Sequence, residues 1–290
     1  MGQLPNLLLA GLSTGSVYAL VALGFNVIFK STGAINFAQG EWVMMGGMVA
    51  AAGHAAQWPL GLAVLLAVVT VMVTGILSER VILRQLARPG PLVVTLVMIA
   101  IAICTKSLVM LVLGKNPASL PGFSGSTPID WGGLRIHPQT LWIIGITCLV
   151  MVGAHAFFER SILGRAMRAV AAQPEAAALC GIDPRMAMAL AFALAAATGA
   201  LAGAIITPLT LTSFDYGTVL GFKGFSAAML GGMGSLPGAL VGGILLGSLE
   251  SLAGGLISSH FKDAVAFLAL LLTLFLRPAG VLGKGEVERV

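Results

Sequence analysis

Six predominantly apolar runs, residues 7–29, 60–77, 92–113, 141–158, 186–207 and 236–257, each supply the roughly 17 or more residues that a helix needs to cross hydrocarbon. Only 9% of the chain is charged, whereas soluble domains carry about 25%. Residues 1–290 therefore read as one transmembrane domain, an all-α polytopic membrane protein of about eight to nine helices. A seventh run, 264–276, is shorter but continues through 278–282, with Asp263 and Arg277 placed to snorkel from its ends. Two more, 42–56 and 221–233, fall below the spanning minimum and are candidates for broken or re-entrant helices. Residues 1–29 contain no Lys or Arg, so the first run is expected to be retained and not cleaved as a leader.

Orientation follows from where the basic residues fall. If both short runs cross, eleven of the sixteen (Lys30, Arg80, Arg84, Arg88, Arg160, Arg165, Arg168, Arg185, Arg277, Lys284 and Arg289) share one side. Lys115, Arg135 and Lys262 take the other, and Lys106 and Lys223 lie within apolar runs. The chain is thus expected to have a cytoplasmic C-terminus. Its largest external feature is the proline- and glycine-rich loop 115–140, too small to be a domain. The net charge of +5 is an orientation signal and implies no nucleic-acid partner. Cys104, Cys148 and Cys180 are far apart, in no metal or redox spacing, and read as small packing residues.

The segment 159–185 is a polar island on that cytoplasmic side. Its 164–173 stretch is rich in Ala, Met and Arg, with Arg165 and Arg168 three apart on one helical face. Pro174 ends this helix and opens a second, with Glu175 at the positive end. Gly181 reads as its C-terminal cap, and Asp183 and Pro184 as the cap and first residue of the next long helix. Two short helices along a membrane face, low in profile because of their alanines, make a docking surface for a partner protein.

Two motifs place polar groups at membrane depth. STGAINFAQGEW, residues 31–42, sets Asn36, Gln39 and Glu41 beside Gly33 and Gly40. Such groups are tolerated there only when buried in protein or facing a watery path. In 221–243 a short run carrying Lys223 meets a turn containing Gly231, Gly232, Gly234 and Pro237, and paired interrupted helices point to a translocation path. MMGGM at 44–48 and MLGGM at 229–233 hint at a common element in the two halves. Lys106 and Glu250 sit at similar distances from their helix ends and form a candidate buried pair, the alternative being that Lys106 snorkels outward. G-x-x-x-G steps such as Gly11/Gly15, Gly199/Gly203, Gly238/Gly242 and Gly243/Gly247 argue for a compact bundle.

The chain holds no phosphate-binding loop and no H-E-x-x-H pair, so neither ATP hydrolysis by that route nor metal-dependent intramembrane proteolysis is expected of it. With no catalytic and no metal site, it reads as a transport subunit driven by other chains. AINFAQGE at 34–41, LGRAMRAVAAQPEAAALCGID at 163–183, the run 221–250 and RPAGVLG at 277–283 resemble LivH-type permeases of bacterial ABC importers for branched-chain amino acids, in order along nearly the whole chain. Amide and urea permeases are close relatives, and members often carry His where this chain has Gln39. The resemblance implies a multi-pass subunit of the bacterial inner membrane, paired with a LivM-like second permease. Two cytoplasmic ATPases would bind the ATP and Mg, and a periplasmic binding protein would deliver the amino acid. The island, with Gly164, Arg165, Arg168, Glu175 and Gly181, then corresponds to the ATPase-coupling segment. A zwitterionic amino acid would meet helix ends or open backbone through its charges, with Met and Ala along its aliphatic part. The alternative, a stand-alone secondary transporter or channel for a small polar solute, requires a coupling carboxylate at midplane, for which Glu250 is the candidate.

Overall fold

The computed structural model describes residues 3–86, 90–125, 127–131 and 134–283. Arg88, Lys284 and Arg289 of the orientation count lie outside the described residues. The elements run α1 (Gln3–Thr32), α2 (Gln39–Ala55), α3 (Leu60–Leu77), α4 (Pro91–Leu113), β1 (Ile129–Trp131), β2 (Leu134–Ile136), α5 (Pro138–Arg160), α6 (Ile162–Ala172), α7 (Pro174–Leu179), α8 (Pro184–Thr210), α9 (Tyr216–Gly231), α10 (Leu236–Leu256) and α11 (Lys262–Leu276). Six of the helices, α1, α3, α4, α5, α8 and α10, are long and apolar enough to cross a membrane. The two short runs become α2, of 17 residues, and α9, of 16.

The apolar side chains are distributed as lipid demands. Leu111, Leu149 and Val152 stand 78%, 72% and 68% exposed on the outside, while the interior combines large buried side chains such as Phe25, Trp42, Phe192 and Leu246 with many Ala and Gly and with buried Ser13, Ser16, Thr147 and Ser226. The small residues sit where helix backbones approach most closely. The long α1 packs along α10, with further contacts to α8, α9 and α5. Its approach to α10 uses Gly11 and Gly15 against Gly243 and Gly247, where a Cβ on Gly247 would lie 2.3 Å from the Gly15 nitrogen. Any larger residue there forces the two helices apart.

Two cavities bring the basic residues of different helices to one end. Arg80 and Arg84, from the turns after α3, meet Asp183 and Arg185 at the start of α8. Lys30 meets Arg168 and Gly234. At the other end, Ala118 and Thr212 exchange backbone hydrogen bonds of 2.8 and 2.9 Å, tying the loop 115–140 to the residues after α8. That loop carries the small antiparallel β1–β2 hairpin, with Asp130 opposite Arg135. The cysteines are not packed inside as expected. All three are exposed.

Candidate functional site: the junction of two helix starts

The start of α2 lies inside the bundle, not at its rim. After α1 ends at Thr32, residues 33–38 turn back inward, and Asn36 Oδ1 accepts a hydrogen bond from the Ala38 N–H at 3.0 Å. The Gln39 amide donates to the Ala195 carbonyl, eleven residues into α8, at 2.9 Å. It also lies against Gly24, eight residues before the end of α1, where any Cβ would collide with it. Asn36 and Gln39 are wholly buried and Glu41 is 4% exposed. A helix start carries unpaired N–H groups and partial positive charge, so the carboxylate of Glu41 in its first turn is favourably placed.

The start of α9 meets it. A Cβ on Gly40 would lie 2.3 Å from the Gly217 carbonyl and 2.6 Å from Gly221 Cα, so only glycine allows the two starts to touch. Thr218 donates its hydroxyl to Glu41 Oε1 at 2.8 Å. Glu41 and Thr218 are each the third residue of their helix, so the junction is roughly symmetric. This corrects the repeat suggested by MMGGM and MLGGM: 44–48 falls within α2 whereas 229–233 falls at the end of α9. The corresponding elements are Gly40–Glu41 and Gly217–Thr218.

Beside the junction is a groove of about 340 Å³ lined by Phe37, Glu41, Ile99, Ala102, Ile103, Lys106, Thr218 and Phe222. Ile99, Ala102, Ile103 and Lys106 have the helical spacing that puts them on one face of α4. Lys106 Nζ lies 5.8 Å from the centre of the Phe214 ring. Glu41 Oε2, Gln39 Oε1 and Asn36 Nδ2 are buried without a hydrogen-bond partner among the described residues. Polar groups so placed are costly unless something completes them. Sequence reasoning missed Thr218 because it began the second short run at 221, five residues after α9 begins, and it passed over Phe222 because a Phe in an apolar run carries no signal of its own.

The candidate Lys106–Glu250 pair does not form. Glu250 is bound instead by Lys223 Nζ at 2.6 Å on Oε1 and by the Tyr18 hydroxyl at 2.7 Å on Oε2, and Lys223 also reaches Asp263 at 2.8 Å. The physical reason is azimuth: equal depth does not put two side chains on facing helix surfaces, and α9 packs between α10 and α11 while Lys106 of α4 faces the groove. Lys223, expected on the pathway, is therefore held in a network joining α1, α9, α10 and α11, buried at Tyr18, Lys223 and Glu250 and exposed at Asp263. Gly231, Gly232, Gly234 and Pro237 form the tight connection from α9 to α10. Asn26 clamps it by accepting from the Gly234 N–H and donating to the Ser235 carbonyl. From Gly217 to Gly231 the helix rises about 21 Å, so the structure does not bring this turn to the 36–41 segment.

The island folds as its punctuation dictates. Ser161 caps α6 by accepting from the Gly164 N–H at 2.9 Å, Pro174 opens α7, Gly181 has φ +81°, and Asp183 accepts from the Arg185 N–H at 2.9 Å. Gly164 is buried against Phe157. Arg165 and Glu175 are exposed, whereas Arg168 is bound to Glu159 at 2.9 Å. Leu179, which sequence reasoning did not single out, is 90% exposed on the same segment.

Residues 7–274 match the family described as branched-chain amino acid transport system / permease component. The chain is 35% identical over 297 residues to the high-affinity branched-chain amino acid transport system permease protein BraD of Pseudomonas aeruginosa, covering 98% of this chain and 97% of that one. It is 34% identical over 296 residues to the corresponding permease LivH of Escherichia coli K12, covering 97% and 96%. A more distant similarity, 23% over 272 residues, joins it to the ribose import permease RbsC of Escherichia coli K12, with 89% and 81% covered. Among solved structures, PsaBC from Streptococcus pneumoniae in complex with Fab matches at a TM-score of 0.52 and 10% identity over 93% of this chain and 91% of that one, a likeness of fold.

Proposed function

Because this chain belongs to the family of branched-chain amino acid transport system permease components, we propose that it passes such amino acids across the bacterial inner membrane through the groove at the α2–α9 junction. The observation that carries the placement is Glu41: a buried carboxylate with one oxygen satisfied and the other unpartnered, in the wall of a cavity. Asn36 and Gln39 support that wall. Lys223, Gly231, Gly232, Gly234 and Pro237 hold α9 and its turn in place around it.

A second, LivM-like permease closes the groove from the open side, where Ile103 and Phe222 are 62% and 44% exposed. Two cytoplasmic ATPases, carrying the ATP and Mg, seat on α6 and α7, and a periplasmic protein delivers the substrate to the opposite face. The arginine-rich end and the C-terminus are then cytoplasmic. Gly164, Arg165, Arg168, Glu175 and Gly181 belong to the coupling segment, in which exposed Arg165, Glu175 and Leu179 meet the ATPase. The route from this segment to the junction is short. The α6–α7 segment connects α5 to α8, and α8 holds the start of α2 through the hydrogen bond from Gln39 to Ala195. A tilt of α8 driven by the ATPases thus shifts the wall of the groove. The stand-alone transporter alternative loses its candidate carboxylate, since Glu250 is engaged by Lys223 and Tyr18.

The test is leucine uptake by the importer reconstituted in vesicles with its partner permease, ATPases and binding protein. Ala102→Trp, which fills the groove without touching a charge, is expected to lower uptake at least about tenfold while the complex still assembles. Normal uptake with Trp at this position would place the passage elsewhere.

A further inference from the structure

We infer that the groove is a recognition site for both charges of a free α-amino acid, with Glu41 receiving the ammonium, Lys106 receiving the carboxylate, and Phe37, Ile99 and Phe222 enclosing an aliphatic side chain. The inference rests on the passage reading above and names the chemistry of that same site.

Three observations carry it. Glu41 Oε1 is fixed by Thr218 at 2.8 Å, while Oε2 is buried and bare, so the carboxylate is already oriented and half desolvated. An orphaned acceptor of this kind is completed by a ligand that donates, and an ammonium donates and also neutralises the charge. Lys106 stands in the wall of the same cavity, and among the described residues no carboxylate lies within salt-bridge distance of it. A cation left over an aromatic ring at 5.8 Å is available to an anion. Apart from Thr218 the remaining lining is apolar or aromatic, and the volume of about 340 Å³ suits a small organic molecule.

The pairing also explains selection. A site with one positive and one negative wall group accepts a zwitterion with every charge paired. A cation or an anion of the same size leaves one wall charge unpaired in a medium of low dielectric. A sugar satisfies neither charge. The site differs from the Lys223–Glu250–Asp263 network in this respect, because there the opposite charges already meet one another.

The experiment uses the reconstituted importer and two readouts, leucine uptake and ATP hydrolysis stimulated by the leucine-loaded binding protein. Glu41→Gln preserves size and an acceptor for Thr218 but loses the charge, and Lys106→Met preserves length. Each is expected to cut uptake kcat/KM about tenfold or more while stimulated hydrolysis stays within about twofold, since docking and closure need neither charge. Normal uptake in both variants, with Ala102→Trp still blocking, would leave the passage standing and overturn charge recognition. Normal uptake in Ala102→Trp as well would remove the passage itself. If Glu41→Gln loses uptake, hydrolysis and complex yield together while Lys106→Met transports normally, Glu41 serves only the fold and the inference falls.

Discussion

Glu41 and Glu250 are both buried carboxylates in helices of the same bundle, 4% and 7% exposed, and their surroundings could hardly differ more. Glu250 spends one oxygen on Tyr18 and the other on Lys223, and it faces no cavity described above. Glu41 spends one oxygen on Thr218 and leaves the other, buried against Gly217, without a hydrogen-bond partner in a residue that lines the groove. A fully engaged charge has its burial cost offset locally and holds elements together, here α1, α9, α10 and α11. A half-engaged one is an unfinished coordination shell, and the unfinished side shows where a ligand belongs.

The largest effect that separates the two is expected in stability. Glu250→Ala leaves Tyr18 unpaired and Lys223 with Asp263 alone, and breaking a buried pair in this way costs about 3–5 kcal/mol. Thermal unfolding of the purified complex should show the loss, with Glu41→Gln melting like the parent protein. Equal melting of Glu250→Ala and the parent would break the comparison. Next in size is the effect on transport: Glu41→Gln should lose about tenfold in uptake, equivalent to about 1.4 kcal/mol at the passage. Lys223 should not behave that way, and a Lys223→Met variant that stays assembled should transport in proportion to the protein that remains folded.

The coupling segment sharpens the same contrast at its surface. Arg168 is engaged by Glu159 and Arg165 is exposed. Arg165→Glu should reduce binding-protein-stimulated ATP hydrolysis several-fold, because it reverses a charge offered to a partner. Arg168→Ala should cost at most about 1 kcal/mol of stability and change hydrolysis little. The reverse ranking, measured on the assembled complex, would assign docking to the Glu159 face. The smallest effect is expected at Pro237→Ala. That residue occupies the first turn of α10, next to a turn already clamped by Asn26, and uptake should stay within about twofold of the parent.

Much of the fold was legible because it is written locally. Spanning runs are set by length and composition, and the bounds of α7 and α8 by Pro174, Gly181 and Asp183, each acting within a few residues of its own position; the Ser161 cap of α6 was not read. Asn36, Gln39 and Glu41 were legible as polar groups at membrane depth. Their partners were not, because partnership depends on which helix faces which. Counting residues from helix ends placed Lys106 and Glu250 at one depth but said nothing of azimuth, and the network went to Lys223. The start of α9 was placed late because Tyr216, Gly217 and Thr218 are neither apolar nor capped by a side chain. Thr218 was lost with it, and so was the groove, whose apolar wall is Phe and Ile with Ala102, and no Met, where Met and Ala were expected. The MMGGM resemblance misled for a related reason: a five-residue likeness carries no information about which end of a helix it occupies.

The central claim is that the amino acid passes the α2–α9 junction along α4. Its most direct measurement is thiol accessibility at Ala102→Cys in the assembled importer, with Cys104, Cys148 and Cys180 replaced by Ser. A water-soluble methanethiosulfonate reagent is expected to modify this position at a rate that changes when the ATPases are trapped with ATP. Modification is expected to stop leucine uptake, whereas Leu149→Cys on the lipid-facing side of α5 should react slowly and without effect. An Ala102→Cys site that stays unreactive in every nucleotide state, or one that is fully modified while uptake continues at the parent rate, would contradict the account.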